Sequence, residues 1–152
     1  MRRIAFLCAL ILLNCAALAS AKEMTFDEFL IQFDLETRAD MKIDSKKLIT
    51  LLAEKKAVLV DIRFKEEVVA WRMGFGLQIP LNELPKRLAE LPKDKIIVTA
   101  CPHKDRSSIA MTYLRTKGYN ARYLTDGLIG LAENLRGDNA KDFLEDIGMV
   151  KP

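Results

Sequence analysis

The residues best suited to chemistry stand together in one short stretch, Cys101-Pro102-His103-Lys104-Asp105-Arg106, followed at once by Ser107-Ser108. The apolar, β-branched run Lys95 to Ala100 leads into the cysteine, and a helical pattern follows the stretch. A strand that ends in a thiol places it at the carboxyl edge of a sheet, where open α/β folds hold their ligands. A helix that starts there adds unpaired N–H groups and the positive end of a dipole. Helix starts and nearby cations can bring a thiol's pKa from about 8.5 down to roughly 3.5–7.5. His103, Lys104 and Arg106 are near in sequence, while Asp105 opposes them. The expected chemistry is that of an activated thiolate.

Other chemistries compete for the same residues. The chain has three cysteines and one histidine. Two of the cysteines, Cys8 and Cys15, lie in an N-terminal segment read below as a removable leader. The remaining pair, Cys101 and His103, is too small a set for a structural zinc site. A papain-like pair needs a histidine brought in from elsewhere in the fold, whereas His103 sits two residues away on the same turn. The plain alternatives are a small buried hydrophobe for Cys101 and a solvated surface loop for His103, Lys104 and Asp105. Only their nearness to Cys101 lifts the last three above that reading.

The elements that must position this stretch are legible around it. Ala57 to Ile62 and Lys95 to Ala100 read as buried strands of a parallel sheet. Between them, Asn82 to Leu91 carries Leu84, Leu88 and Leu91 at helical intervals, bracketed by Pro80 and Pro92. Ser107 to Lys117 reads as a helix ended by Gly118. Ala121 to Leu124 reads as a strand and Phe143 to Ile147 as a last short helix. Upstream, Thr25 to Phe33 is a capped helical arm, and Asp44-Ser45 caps a helix carrying Leu48, Leu51 and Leu52. Strands alternating with helices predict an open α/β fold.

The chain begins Met1-Arg2-Arg3, runs through apolar residues from Ile4 to Leu18 and closes on Ala19-Ser20-Ala21. This is the layout of a secretory signal peptide, with cleavage expected after Ala21. As a membrane anchor the stretch falls short of the roughly 20 residues required. Lipidation at Cys15 is disfavoured by Asn14, which is not the small residue that signal wants. Cleavage removes Arg2 and Arg3, so the basic count falls from 24 to 22 against 21 acids. A near-neutral chain without a long basic run excludes nucleic acid as the expected partner. Cleavage also leaves Cys101 as the single thiol, with no intramolecular disulfide possible. The expected organisation is a leader over 1–21, a helical arm over 22–42, one domain over 43–136 and a helical tail over 137–152.

The motifs resemble those of the rhodanese family over roughly Ile43 to Leu131. Asp61-Ile62-Arg63, then Glu67, then Ile79-Pro80 resembles the first family signature, and Cys101 to Ser108 the active-site loop. Tyr123-Leu124-Thr125-Asp126-Gly127-Leu128 is similar to the closing element. Departures are Trp71-Arg72-Met73 where Gly-His-Ile is common, Asp126 and Leu131 where glycine and tryptophan are usual, and Lys104 where glycine is frequent.

The resemblance implies a rhodanese-like open, mostly parallel sheet flanked by helices. It implies that Cys101 is the nucleophile that holds a persulfide. Pro102, His103, Lys104, Asp105 and Arg106 would form the substrate-binding loop, with the backbone N–H groups that the 102–106 loop carries around the sulfur and Arg106 bracing it. Asp61, Arg63 and Glu67 would be a structural ion-pair network beneath the site, with Ser107 in support. No metal and no organic cofactor is implied. The partners would be a small anionic sulfur donor and a thiophilic acceptor, with a membrane-bound reductase and homodimer formation left open. The six-residue loop favours sulfur transfer over the phosphatase and arsenate-reductase branch, whose loop is one residue longer. An exported, periplasmic or secreted persulfide carrier and a redox-sensing protein are the other readings.

Overall fold

The computed structural model describes residues 22–151. The expected leader and its cleavage site lie outside the described residues. The chain order is α1 (Phe26–Ile31), α2 (Leu35–Asp40), β1 (Lys42–Ile43), α3 (Ser45–Ala53), β2 (Ala57–Asp61), α4 (Lys65–Ala70) and β3 (Leu77–Gln78). Two 3-10 turns follow, then β4 (Ile96–Ala100), α5 (Asp105–Thr116), β5 (Ala121–Leu124), α6 (Gly127–Asn134) and α7 (Asp138–Asp146). The five strands form one sheet in the order β1-β5-β4-β2-β3, and every pairing is parallel. Parallel neighbours need crossovers, which carry helices onto both faces and bury the strands on both sides.

β2 and β4 form the centre, paired from Ala57 opposite Ile96 to Asp61 opposite Ala100. Side chains alternate between the faces. Leu59, Val98 and Ala100 therefore pack with Leu48 and Leu51 of α3 and Leu128 and Leu131 of α6. Val60, Ile62 and Ile97 pack on the opposite face with Ala110, Met111 and Leu114 of α5. Cys101 follows the same alternation onto the α5 face and is fully buried in that cluster.

Several boundaries differ from the sequence-based expectation, each for a local reason. The helix expected over Asn82–Leu91 is instead two 3-10 turns, Leu84–Lys86 and Leu88–Glu90. Pro85 lies inside that stretch, lacks an N–H and crowds the preceding turn, so a continuous α-helix cannot form. α5 starts at Asp105, two residues before the expected Ser107, and the last helix begins five residues before the expected Phe143, at Asp138. β1 and β3 are two residues long, too short for a periodic signal. α1 carries a capping box, in which the Glu28 N–H donates to Thr25 Oγ1 at 3.1 Å and the Thr25 N–H to Glu28 Oε2 at 2.6 Å. Asp44 caps α3 by accepting from the Lys47 N–H at 2.8 Å.

One buried ion pair closes the end of β2. Arg63 is fully buried, and its Nη2 lies 2.7 Å from Asp61 Oδ2 and its Nε 2.9 Å from Oδ1. Nη2 also donates to the Trp71 carbonyl at 2.9 Å, and the guanidinium lies 4.0 Å from the Trp71 ring centroid. The pair thus ties the end of β2 to the segment beyond α4. Removing one partner of such a pair leaves the other charge buried and uncompensated. Asp61→Ala should destabilise the protein by about 3–5 kcal/mol, and Asp61→Leu combined with Arg63→Met by much less. Urea unfolding of both variants checks this.

Candidate active site

The thiol owes its place to strand, helix and loop together. Thr99 Oγ1 donates to the Ser107 carbonyl at 2.8 Å and joins β4 to the first turn of α5. Ser107 Oγ donates to the Lys104 carbonyl at 3.0 Å and closes the loop from within. From the other side, the start of α6 takes the loop's carbonyls: the Leu128 N–H donates to Cys101 O at 2.8 Å, and the Ile129 N–H to Pro102 O at a longer 3.4 Å. Gly127 makes this approach possible. It has φ +65°, and a Cβ there would lie 2.3 Å from both the Pro102 and the His103 carbonyl oxygens. Only glycine fits such a position. A trans peptide points its N–H opposite its C=O, so the N–H groups of His103 and Lys104 face away from α6.

The sulfur has close side-chain neighbours of its own. Cys101 Sγ lies 3.6 Å from Asp105 Oδ1 and 3.7 Å from Ser107 Oγ. Asp105 is an exposed residue whose carboxylate reaches back over a sulfur with no exposure. Its carboxyl is held below the usual carboxylate range, first by the Arg106 backbone N–H, with Cys101 and the Arg106 charge adding to the effect. Asp105 is therefore ionised at neutral pH, and it sets a negative charge beside the sulfur. Expected among the substrate-binding residues, it stands against the sulfur itself.

Arg106 points elsewhere. Its Nη1 lies 2.6 Å from Glu67 Oε2 and its Nη2 2.8 Å from Oε1, a two-pronged pair between α5 and α4. Glu67 Oε2 also accepts from the Phe64 N–H at 3.1 Å, and the guanidinium sits 5.7 Å from the Phe64 ring. The hydrogen bonds from Arg106 lower the Glu67 carboxyl to about 2. The single network expected for Asp61, Arg63 and Glu67 is thus two separate pairs, Asp61–Arg63 and Glu67–Arg106. The strand end separates them, because Arg63 turns toward Trp71 and Glu67 toward the loop.

The rest of the loop is open. His103 and Lys104 are exposed and Pro102 half-buried, and Lys104 makes no ion pair among the described residues. Lys104 has φ −148°, so this backbone makes no demand for the glycine common at its position. Among the described residues no group of three His, Cys, Asp or Glu side chains could hold a metal ion. Sequence reasoning passed over Gly127, Thr99 and Phe64 as parts of the site. The Asp126-Gly127 pair was visible in the closing element, but only the fold shows that a helix starts there and which carbonyls meet it.

Two measurements test these electrostatics. Glu67 titrates at about 4.5 when unfolded and at about 2 when folded. The stability it contributes is present above its unfolded value and is lost as pH falls through about 2. The stability margin of the native protein over Glu67→Gln should be constant above pH ~5 and shrink as pH drops from about 4.5 toward 2, read by chemical unfolding at each pH. For Asp105, the rate of Cys101 alkylation by anionic iodoacetate relative to neutral iodoacetamide should rise about two- to fivefold in Asp105→Asn, the effect of removing one exposed like charge. An unchanged ratio would mean that the carboxylate does not screen the sulfur.

Comparison with known proteins agrees with this geometry. A sulfurtransferase of Allochromatium vinosum is 37% identical over 97 residues, which cover 63% of this chain and 81% of that protein. Among solved structures, human single-domain sulfurtransferase TSTD1 matches with a TM-score of 0.56 and 27% identity, over 61% of this chain and 96% of that one. Reduced Bacillus anthracis CoADR-RHD matches with a TM-score of 0.56 and 28% identity, over 62% of this chain, which spans 17% of that longer one. The rhodanese-like domain profile matches residues 44–134. With that profile laid over the all-parallel sheet, the buried thiol at the end of β4 and the loop that follows it, the chain belongs to the rhodanese-like domain family.

Proposed function

We propose that the chain is a sulfurtransferase that moves a sulfane sulfur from thiosulfate or a polysulfide, through a persulfide on Cys101, to cyanide, a thiol or sulfite. Sulfur transfer in general is the chemistry of the relatives that the chain matches. The observation that carries the reading is the placement of Cys101 at the carboxyl end of β4, at the head of a six-residue loop whose first two carbonyls are turned outward onto α6. In the first step the Cys101 thiolate attacks the outer sulfur of the donor. A new S–S bond forms, the donor's S–S bond breaks, and sulfite or the shortened polysulfide leaves with the electron pair. In the second step the acceptor attacks the outer sulfur of the persulfide, and the Cys101 thiolate leaves.

The residues divide this work unevenly. A persulfide anion is stabilised by N–H groups directed at it, and the orientation of the His103 and Lys104 peptides suits that task. Lys104, exposed and unpaired among the described residues, supplies a mobile positive charge for an anionic donor. Glu67–Arg106 anchors the loop and leaves the sulfur chemistry to the backbone. Asp105 acts against anionic donors until its side chain swings away. The N-terminal leader would place this chemistry outside the cytoplasm, periplasmic or secreted. There the acceptor could be a membrane-bound reductase, and the protein would then be a persulfide carrier.

The intact mass of the protein before and after exposure to thiosulfate or polysulfide tests the assignment. Wild type should gain one sulfur and release it to cyanide with turnover, whereas Cys101→Ser should do neither, because Cys101 is the only free cysteine among the described residues. Loading without turnover would point to the carrier. Aryl phosphate hydrolysis at a rate comparable to sulfur transfer would overturn the assignment, since the short loop leaves no room for a tetrahedral phosphate.

A further inference from the structure

Two of the residues in which this chain departs from the family pattern, Trp71 and Arg72, stand at a second place on the surface, Arg72 on its wall and Trp71 against Arg63. A cavity of about 300 Å³ opens there between α4, the edge strand β3 and the first 3-10 turn. That volume is at the lower end of the range used by small-molecule sites. Four cations stand on its wall: Arg63, Lys65, Arg72 and Arg87. Two of them are already neutralised. Lys65 Nζ lies 2.6 Å from Glu83 Oε1, and Arg87 pairs with Glu83 at 3.1 Å and with Glu90 at 2.6 Å. Arg63 is paired with Asp61 yet keeps one free donor, and Arg72 is unpaired. Arg72 makes no ion pair or side-chain hydrogen bond among the described residues. Arg63, fully buried, uses Nε and Nη2 on Asp61 and the Trp71 carbonyl, while its Nη1 has no hydrogen-bond partner.

A buried guanidinium donor without a partner is costly to leave unsatisfied. Here it lies on the wall of a cavity that also carries a free, exposed arginine. The remaining wall is made by the apolar Val68, Val69 and Pro80 and the polar Gln78. We propose that this cavity binds a small organic anion, a carboxylate or sulfonate on a short aliphatic group. The oxyanion lies between Arg72 and Arg63, where planar guanidinium groups match its geometry, and the aliphatic part lies against Val68 and Pro80. The site is separate from Cys101 and does not depend on sulfur transfer. α4 stands between the two, with Glu67 turned to Arg106 of the loop and Lys65, Val68 and Val69 turned to the cavity.

Trp71 makes the proposal directly measurable. It is the only tryptophan of the chain, and its ring lies 4.0 Å from the Arg63 guanidinium. Its fluorescence is followed while the full-length protein is titrated with butyrate, propane-1-sulfonate or neutral butyramide, with sodium chloride holding ionic strength constant. The proposal expects a saturable change with one or both anions and none with butyramide. It also expects affinity to fall about tenfold or more in Arg72→Gln, as for loss of a charge-assisted hydrogen bond. Arg72 is exposed, so that variant should keep the wild-type unfolding midpoint. No saturable response to either anion, an equal response to butyramide, or equal affinity in Arg72→Gln would each overturn it. The comparison of anions with butyramide is made in the wild type and stands whether or not the variant folds.

Discussion

Asp61 and Ala100 face each other at the ends of adjacent parallel strands, and that register decides what can meet at the edge of the sheet. Because β2 and β4 stop at the same level, Arg63 and Cys101 leave the sheet side by side in depth. The Ile62 N–H donates to the Ala100 carbonyl and carries the pairing one residue past β2. Shifting β4 by one residue would turn Cys101 to the α3 and α6 face. The site therefore rests first on backbone pairing in the middle of the molecule and only then on its own side chains.

Beyond the strand ends, the loop is shaped by what grips it from outside. α6 takes two of its carbonyls, Thr99 and Ser107 stitch its far end to β4, and Glu67 holds Arg106. With the Cys101 and Pro102 carbonyls and the Arg106 guanidinium engaged outward, the N–H groups of His103 and Lys104 face away from α6. Asp105 is the exception. Its carboxylate lies 3.6 Å from the sulfur and is held ionised, first by the Arg106 N–H, so it sets a negative charge beside the thiol.

The two arginines that resemble each other in sequence do different work. Arg106 is partly exposed and pairs with a surface carboxylate across two helices, a bond that water and salt weaken. Arg63 is buried, paired with Asp61 and stacked on Trp71, where loss of its partner is costly. α4 lies between them and gives Glu67 to the loop and its other face to the cavity. A six-residue helix thus separates the loop from the cavity.

Much of this was legible in residues alone. The apolar runs Ala57–Ile62 and Lys95–Ala100 marked the central strands, since hydrophobic β-branched residues on both faces suit a doubly covered sheet. A thiol between such a strand and a helix start marked the candidate nucleophile, because the order strand, loop, helix is local. Other features could not be read this way. Pro85 broke a helix that the leucine spacing alone suggested, and β1 and β3 are too short to carry a period. The partners of the charged residues were also out of reach. Glu67 meets Arg106 across 39 residues, and Gly127 meets the carbonyls of residues 102 and 103 from 24 or more residues away. The sequence by itself determined which residues could do chemistry and the elements that carry them, because those depend on neighbours along the chain. Only the tertiary structure decided that Asp105 stands against the sulfur, that Glu67 braces the loop and that Arg63 keeps a free donor beside Arg72, because those depend on how distant segments pack.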